Sequence, residues 1–326
     1  MSYLLLTGHL GFIGSNFAIR AINSGKKLIG LDKLTYAGNL KNVAEIENNP
    51  NYIFIKGDIN NKELVNDIFN KYKISAVVNF AAESHVDNSI SSPKEFITSN
   101  INGVFTLLEE ARAYYNKSKD ENFRFLHIST DEVYGSLGEK GKFSEKSNYQ
   151  PNSPYSASKA ASDHLVRAWF ETYGLPTLTT NCSNNFGPKQ HSEKLIPTII
   201  RSCLNNKPIP IYGDGKNIRD WIFVEDHCEG IELVLKKGKV GETYCLGTNN
   251  ERTNLQIVNS ICEILDRLKP EEKSYKNLIS FVKDRAGHDR RYAIDNTKAV
   301  KELGFNPKGS FEENLEKTIR WYLTKS

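Results

Sequence analysis

The chain is poor in sulfur, with five cysteines and one methionine in 326 residues. The cysteines (Cys182, Cys203, Cys228, Cys245, Cys262) are odd in number, far apart and without a CxxC pair. That spacing excludes a disulfide scaffold and fits reduced thiols in a cytoplasmic protein. No apolar run approaches the length of a membrane span. The opening MSYLLLTGHLGFIGSNF lacks a basic n-region and meets glycine at once, so it reads as a strand entering a fold and not as a signal peptide. An excess of charge of one sign is also missing. Basic residues number 43 and acidic residues 39, giving a net +4 without a basic run or an Arg-rich aromatic patch. Neither nucleic acid nor a membrane is therefore an expected partner, and no metal is expected. Internal repeats and low-complexity tracts are absent as well.

What is present is alternation. Short apolar runs at Tyr3–Thr7, Lys27–Asp32, Tyr52–Lys56, Ala76–Ala81, Arg124–Thr130 and Thr177–Asn181 are separated by amphipathic stretches. The spacing predicts helices over Phe12–Ser24, Lys62–Tyr72, Asn102–Tyr115 and Ser156–Tyr173. The fold class expected is α/β, a doubly wound parallel sheet with a smaller C-terminal substrate-binding α/β lobe. The division falls at residues 1–185 and 186–326, with some later segments returning to the first domain. Beyond residue 185 Gly, Pro and Asn punctuate shorter elements, helices return at Asn254–Leu268 and Phe311–Leu323, and Lys269–Asn277 reads as an exposed loop.

The first strand runs straight into Gly8-x-x-Gly11-x-x-Gly14 and then a helix. Glycines there allow a tight turn, close approach of backbone to a pyrophosphate, and helix-on-strand packing, while the helix N-terminus faces the anion. About twenty residues on, Asp32 ends the second strand, where a carboxylate accepts ribose hydroxyls and repels a 2′-phosphate. The cofactor expected is NAD, not NADP. Asp58, closing the third strand, is either a contact to the adenine edge or a surface turn.

Tyr155 and Lys159 stand four apart at the start of a helix, hence on one face. An ammonium held near a phenol stabilises its anion, and such a phenol can take a hydroxyl proton as hydride leaves the same carbon. Standing alone, the pair would read as an ordinary exposed YxxxK. In HISTDEVYGS (127–136) the adjacent acids Asp131 and Glu132 either cap the loop leaving a strand or act together, and joint action requires the strand to end at Thr130.

Taken with AAESHVDNSI (81–90), YSASKAASD (155–163), NCSNNFGP (181–188), EKLIP (193–197), IRDWIFVEDH (218–227) and DRAGHDRRYAID (284–295), these motifs resemble the extended short-chain dehydrogenases of Rossmann type. Within them they are most similar to the dTDP-glucose 4,6-dehydratase family, in the family's order and over nearly the whole chain. The resemblance implies oxidation of glucose carbon 4 with enzyme-held NAD, loss of water across carbons 5 and 6, and hydride return to carbon 6. It casts Tyr155 as the base for oxidation with Lys159 assisting, Thr130 as partner of the 4-hydroxyl, Asp131 as acid at carbon 6 and Glu132 as base at carbon 5. It implies cofactor contacts at Gly8, Gly11, Phe12, Ile13, Gly14, Asp32, Lys33, Leu34, Thr35, Asp58, Ile59, Ala81, Ala82, Glu83, Ser99, Tyr155, Lys159 and Asn185. Substrate contacts are implied at Ser84, Thr130, Asn184, Lys194, Leu195, Pro210, Ile211, Tyr212, Arg219, Asn254, Asp284, Arg285 and His288. Taken singly, Lys194 and Arg219 read equally well as solvated surface charges. A homodimer through a four-helix bundle of Asn102–Tyr115 and Ser156–Tyr173 is also implied. The chain departs from the family pattern at His9-Leu10, Asn88, His191-Ser192 and Ala286, none of them a catalytic position. The alternatives are an NAD-dependent nucleotide-sugar 4-epimerase or decarboxylase, the same dehydration on UDP- or CDP-glucose, and a non-catalytic NAD-binding regulator. A base at position 132 has no use in epimerisation at carbon 4.

Overall fold

The computed structural model describes residues 2–284 and 288–324. Seven strands build the main sheet: β1 (Tyr3–Thr7), β2 (Lys27–Asp32), β3 (Tyr52–Lys56), β4 (Ile74–Asn79), β5 (Arg124–Thr130), β6 (Thr177–Cys182) and β10 (Thr243–Leu246). Their order is β10-β6-β5-β4-β1-β2-β3, with every neighbouring pair parallel. Strand order reverses between β1 and β4, which opens a crevice at the carboxyl ends of those strands. Successive residues of each strand feed opposite cores. Leu4, Leu6, Leu126 and Ile128 pack on one side, and Leu5, Val77 and Phe125 on the other. A parallel sheet covered on both faces needs apolar residues at both parities, which is why these strands read as continuous apolar runs.

The first side is covered by α1 (Phe12–Asn23) and the second by α2 (Lys62–Lys71). The short turns α3 (Val86–Ser91) and α4 (Pro93–Phe96) lead through a π-helical turn at Ile97–Asn102 into α5 (Gly103–Ser118). The helix over α6 (Pro154–Tyr173) starts two residues before the predicted Ser156, because Ser153 and Ser156 form a capping box ahead of Pro154, and it stops at Gly174 in the left-handed region. Strand β10 adds to the edge of the main sheet by pairing with β6.

The rest of that half holds β7 (Asn184–Phe186), β9 (Ile218–Phe223) and β11 (Glu251–Thr253) in one small sheet, and β8 (Ile209–Tyr212) with β12 (Ile279–Val282) in another. Around them lie α7 (Leu195–Leu204), α8 (Val224–Lys237), α9 (Asn254–Leu268) and α10 (Phe311–Leu323). The predicted exposed loop Lys269–Asn277 needs correction at its end. Tyr275 is buried, its hydroxyl donates to the Lys269 carbonyl, and its N–H donates to Asp266, so an aromatic anchor pins an otherwise polar segment.

His9, an unusual residue for a glycine loop, is fully buried against β2 and β3 and hydrogen-bonds the Tyr52 hydroxyl at 2.7 Å. Its ring lies over Gly30, where an added Cβ would fall on the imidazole. Burial pushes this histidine down to about 4, so it is neutral and acts as a packing residue.

Candidate active site

Strand β5 ends at Thr130, and residues Asp131–Tyr134 turn immediately as a single 3₁₀ turn. The Thr130 hydroxyl caps that turn by accepting the Glu132 N–H at 3.3 Å. With the strand finished, the two acids escape its alternation. Thr130, Asp131, Glu132, Tyr155 and Lys159 all line one cavity in the crevice at the sheet's carboxyl edge.

Burial sets the electrostatics here. Asp131 is 1 % exposed; its Oδ1 accepts from Thr130 Oγ1 at 3.3 Å, and its Oδ2 has no hydrogen-bond partner among the described residues. Desolvation first, then the charges of Glu132 and Asp220, hold its carboxyl well above the usual range, outweighing Arg219 and the Thr130 hydrogen bond. A protonated Asp131 is the state this environment favours, as a general acid requires. Tyr155 is also pushed upward, by burial and then by Glu132, with the neighbouring Thr130 hydroxyl pulling the other way. The Lys159 ammonium donates to the Ile128 carbonyl at 2.7 Å and lies 3.2 Å from His127 Nε2. Burial lowers it to about 8. The resemblance casts Lys159 as helper of the phenol; in this structure its hydrogen bonds run to the strand behind.

Behind the cavity lies a polar network that sequence reasoning missed. His127 is fully buried, accepts from the Asn79 amide at 3.0 Å and approaches Asp163 at 3.4 Å. Asp163 in turn accepts from Ser129 and Tyr149 at 2.9 Å and from Asn181 at 3.2 Å. The signal was available: His127 and Asn181 are polar residues at inward positions of apolar strands, where each buried group has to find a partner. Cys182, Gln190, His191 and Glu193 also line the cavity without having been singled out as contacts.

Of the cofactor contacts implied by resemblance, all but Leu34 line this same cavity. Leu34 adopts φ +59 and packs its side chain toward the core, so it serves only as backbone, its N–H donating to Asp32 at 2.8 Å. Asp32 also accepts the Leu10 N–H at 3.0 Å, and these two bonds fix the carboxylate at the end of β2. Gly8 has φ +65 and lies so close to the end of β4 that a Cβ would be 2.6 Å from Ala81 N and Cα. Helix α1 begins at Phe12 with Gly11 as a cap that supplies no side chain, leaving its first N–H groups directed at the cavity. Lys33 reaches Ser99 Oγ at 2.9 Å and Asp58 at 3.5 Å. Asn100, in the π-helical turn, accepts the Glu83 N–H and donates to Ser158, tying the loop after β4 to α6.

Residues 5–318 match the family model described as GDP-mannose 4,6 dehydratase. A dTDP-glucose 4,6-dehydratase from Xanthomonas campestris is 55 % identical over 99 % of this chain and 94 % of its own. The chain belongs to the dTDP-glucose 4,6-dehydratase family. The crystal structure of the Bacillus anthracis dTDP-glucose 4,6-dehydratase in complex with NAD superposes with a TM-score of 0.90 at 44 % identity, covering 100 % of this chain and 98 % of that one. A UDP-glucose 4-epimerase from Thermotoga maritima, solved with UDP-glucose, reaches 0.89 at 27 % identity, covering 99 % of both chains. Fold alone thus does not separate dehydratase from epimerase, whereas sequence does.

The substrate contacts that the dehydratase pattern implies fall into two groups. Ser84, Asn184 and Lys194 line the cavity with the catalytic set, and Lys194 donates to the Ser84 carbonyl at 2.9 Å. A second strip lies alongside. Arg219 donates to the Asp289 carbonyl at 2.9 Å with its guanidinium 4.4 Å over the Tyr292 ring, Asn217 donates to the same carbonyl, and the Asn254 N–H donates to Asn217. Arg219 is 5 % exposed, which removes the reading of a solvated surface charge, and its field reaches Asp131. Tyr212 meets His288 edge-on, and His288 hydrogen-bonds Asp284 at 2.6 Å. Pro210 lies beside Tyr212 in β8. Two implied side chains do not face this region: Ile211 is buried in the core, and Leu195 packs against it. Arg285 and Ala286 lie outside the described residues. Among the unusual positions, Leu10 is core, the Asn88 N–H is held by His85, and His191 lies 3.4 Å from Glu193 at the cavity wall with Ser192 beside it.

Proposed function

We propose that this protein converts dTDP-glucose to dTDP-4-keto-6-deoxyglucose with NAD as its resident cofactor. The observation that carries the reading is the placement of both Asp131 and Glu132 in the cavity that holds Thr130, Tyr155 and Lys159. The cofactor residues fit a dinucleotide: the Gly8 turn leaves no room for a side chain, the uncapped start of α1 suits a pyrophosphate, and the pinned Asp32 carboxylate suits a ribose diol without a 2′-phosphate. Bound there, NAD supplies the acceptor and later donor of hydride, and its positively charged ring favours the anionic form of a nearby phenol. Tyr155 takes the proton of the 4-hydroxyl, with Thr130 orienting that group. The resulting ketone acidifies carbon 5, whose proton Glu132 removes while Asp131 protonates the departing 6-hydroxyl. Lys159 holds positive charge behind the site, and Arg219, Lys194 and the Tyr212–His288 strip receive the nucleoside diphosphate.

Residues 1–185 serve mainly the cofactor and residues 186–326 mainly the nucleotide sugar. A homodimer forms through α5 and α6, which present Phe105, Trp169 and Tyr173 as a surface aromatic cluster. The deciding experiment uses dTDP-glucose deuterated at carbon 4. Loss of water with the label at carbon 6 is expected; a labelled 4-epimer, or unchanged substrate, would overturn the reading. UDP- and CDP-glucose in the same assay test the base.

A further inference from the structure

Cross-strand neighbours set the state of His127. Thr7, Asn79 and His127 stand side by side on β1, β4 and β5, in register and fully buried. The Thr7 hydroxyl accepts the Ala81 N–H at 3.4 Å and donates to Asn79 Oδ1 at 2.5 Å. With its oxygen engaged, Asn79 turns its amide nitrogen to His127 Nδ1 at 3.0 Å. The opposite orientation of the amide would strand the Thr7 hydroxyl proton. An amide nitrogen only donates, so Nδ1 is the bare nitrogen of the ring. Burial and then the charge of Lys159 push His127 down to about 4, so the ring is neutral and its one proton sits on Nε2.

That nitrogen faces two partners. Lys159 Nζ is 3.2 Å away and Asp163 Oδ1 is 3.4 Å away. Both stand on α6 four residues apart, hence on the one face that meets His127. An ammonium has no lone pair to accept an N–H, whereas an amine has one. As an amine, Lys159 accepts from Nε2 while donating to the Ile128 carbonyl at 2.7 Å. As an ammonium it keeps only the Ile128 bond, and the imidazole N–H then has Asp163 Oδ1, an atom without a hydrogen-bond partner among the described residues. Asp163 Oδ2 is held by Ser129, Tyr149 and Asn181, so the carboxylate stays in place while the ring tilts.

We propose that His127 is a positioning residue for Lys159, its Nε2–H turning to Asp163 when the lysine is an ammonium and to the lysine nitrogen when the lysine is an amine. No bond to hydrogen breaks on the imidazole. The lysine's own proton exchanges through the cavity that Lys159 lines. The consequence for catalysis rests on the dehydratase reading: the positive charge that favours a Tyr155 phenolate can be lost and regained while Nζ stays on the Ile128 carbonyl. The ionisable groups around Lys159 are His127 on β5, Asp163 and, four residues before the lysine, Tyr155 on α6, and Cys182 on β6, with Tyr149 on the far side of Asp163. Burial pushes the Cys182 thiol up to about 12 and the Tyr149 phenol well above its ordinary value, so neither loses its proton in the range near 8 where the lysine titrates.

The test is a magnetic-resonance titration of the NAD-loaded protein from about pH 6 to about pH 10, with ring-¹⁵N histidine and ¹³Cε lysine, Lys159→Met assigning the lysine signal. In the wild type we expect His127 to remain the neutral Nε2–H tautomer throughout, and its Nε2 resonance to move through the same midpoint as the Lys159 carbon. An Nδ1–H tautomer, an imidazolium, or an Nε2 resonance blind to the lysine overturns the switch, and this arm needs no variant to fold. In His127→Phe the amine loses its donor, so the lysine midpoint should rise by about one pH unit, the worth of one hydrogen bond. His127→Gln, whose amide can donate to the same nitrogen, should restore it. An unmoved midpoint in the phenylalanine variant overturns the proposal. Mixing with dTDP-glucose adds the catalytic readout: the limb of nicotinamide reduction that titrates with Lys159 should move with that midpoint while KM stays. A wild type that never reduces its nicotinamide overturns the dehydratase reading, and the resonance arm still decides the switch.

Discussion

Replacing Asp131 by Asn keeps the side chain's shape and its acceptor toward Thr130 but leaves nothing able to deliver a proton at carbon 6. General acid catalysis contributes about 10²- to 10⁴-fold, or about 3–5 kcal/mol, and dehydration by Asp131→Asn should fall by that factor. Oxidation at carbon 4 should survive. The phenol of Tyr155 is raised mainly by burial and Glu132, with Asp131 a smaller contributor in the same direction, so removing that charge eases formation of the phenolate. Two readouts belong together: release of 4-keto-6-deoxy sugar, and the absorbance of reduced nicotinamide after mixing with substrate. Reduced cofactor should accumulate while product does not. Stability adds a third readout with a definite sign. The carboxyl of Asp131 titrates higher in the folded chain than in the unfolded one, so its stabilising contribution is complete below the unfolded value and is lost as pH rises through the folded value. The variant should therefore melt above the wild type near neutral pH, and the gap should close as pH falls toward about 4. Dehydration within tenfold of wild type, or a lower melting temperature at neutral pH, would refute the reasoning.

Lysine 159 titrates near 8 in the fold against about 10.4 unfolded, so wild-type stability should gain about 3 kcal/mol on Lys159→Met as pH rises across that window; denaturant titrations at both ends check it, and a constant gap would argue against a buried ammonium. Gly8→Ala places a Cβ 2.6 Å from the Ala81 backbone at φ +65, costing about 1–2 kcal/mol for the left-handed conformation and about 1–3 for the clash. For a chain of this length that lowers the melting temperature by about 3–7 °C, measurable by scanning fluorimetry, with NAD affinity falling alongside. Phe105→Glu should turn a dimer in light scattering into a monomer, since Phe105 is 48 % exposed and packs edge-on against Trp169; a monomeric wild type would end the four-helix-bundle proposal.

Elements whose cause is local were legible in the sequence. The strands β1, β2, β3 and β5 fall on the predicted apolar runs, and α9 and α10 on the predicted helices, because period and capping residues are written in consecutive positions. Strand β4 begins and ends two residues earlier than the run Ala76–Ala81, since pairing with β1 governs its ends and apolar character does not. Strand β10 was invisible. Four residues, Thr243–Leu246, carry no period, and only their partner β6 makes them a strand. At the site, spacing alone put Tyr155 with Lys159 and the glycine triplet with Asp32, whereas Thr130, Asp131 and Glu132 joined them only through the resemblance. The hydrogen bonds that give those groups their charge states were not legible. That Lys159 turns to Ile128, or that Asp163 gathers Ser129, Tyr149 and Asn181, depends on which strands become neighbours. Tyr275 was misplaced for the related reason that a lone aromatic in a charged stretch finds its core only in three dimensions.

The pairing of His9 with Gly30 constrains how this chain can change over generations. Any side chain at position 30 would occupy the space of the imidazole, so position 30 is closed for as long as His9 stays. A lineage leaving this arrangement has to shrink residue 9 first and enlarge residue 30 afterwards, because the reverse order passes through an overpacked intermediate. The unusual histidine thus makes the order of substitutions, and not only their identity, matter at the entrance to the glycine loop.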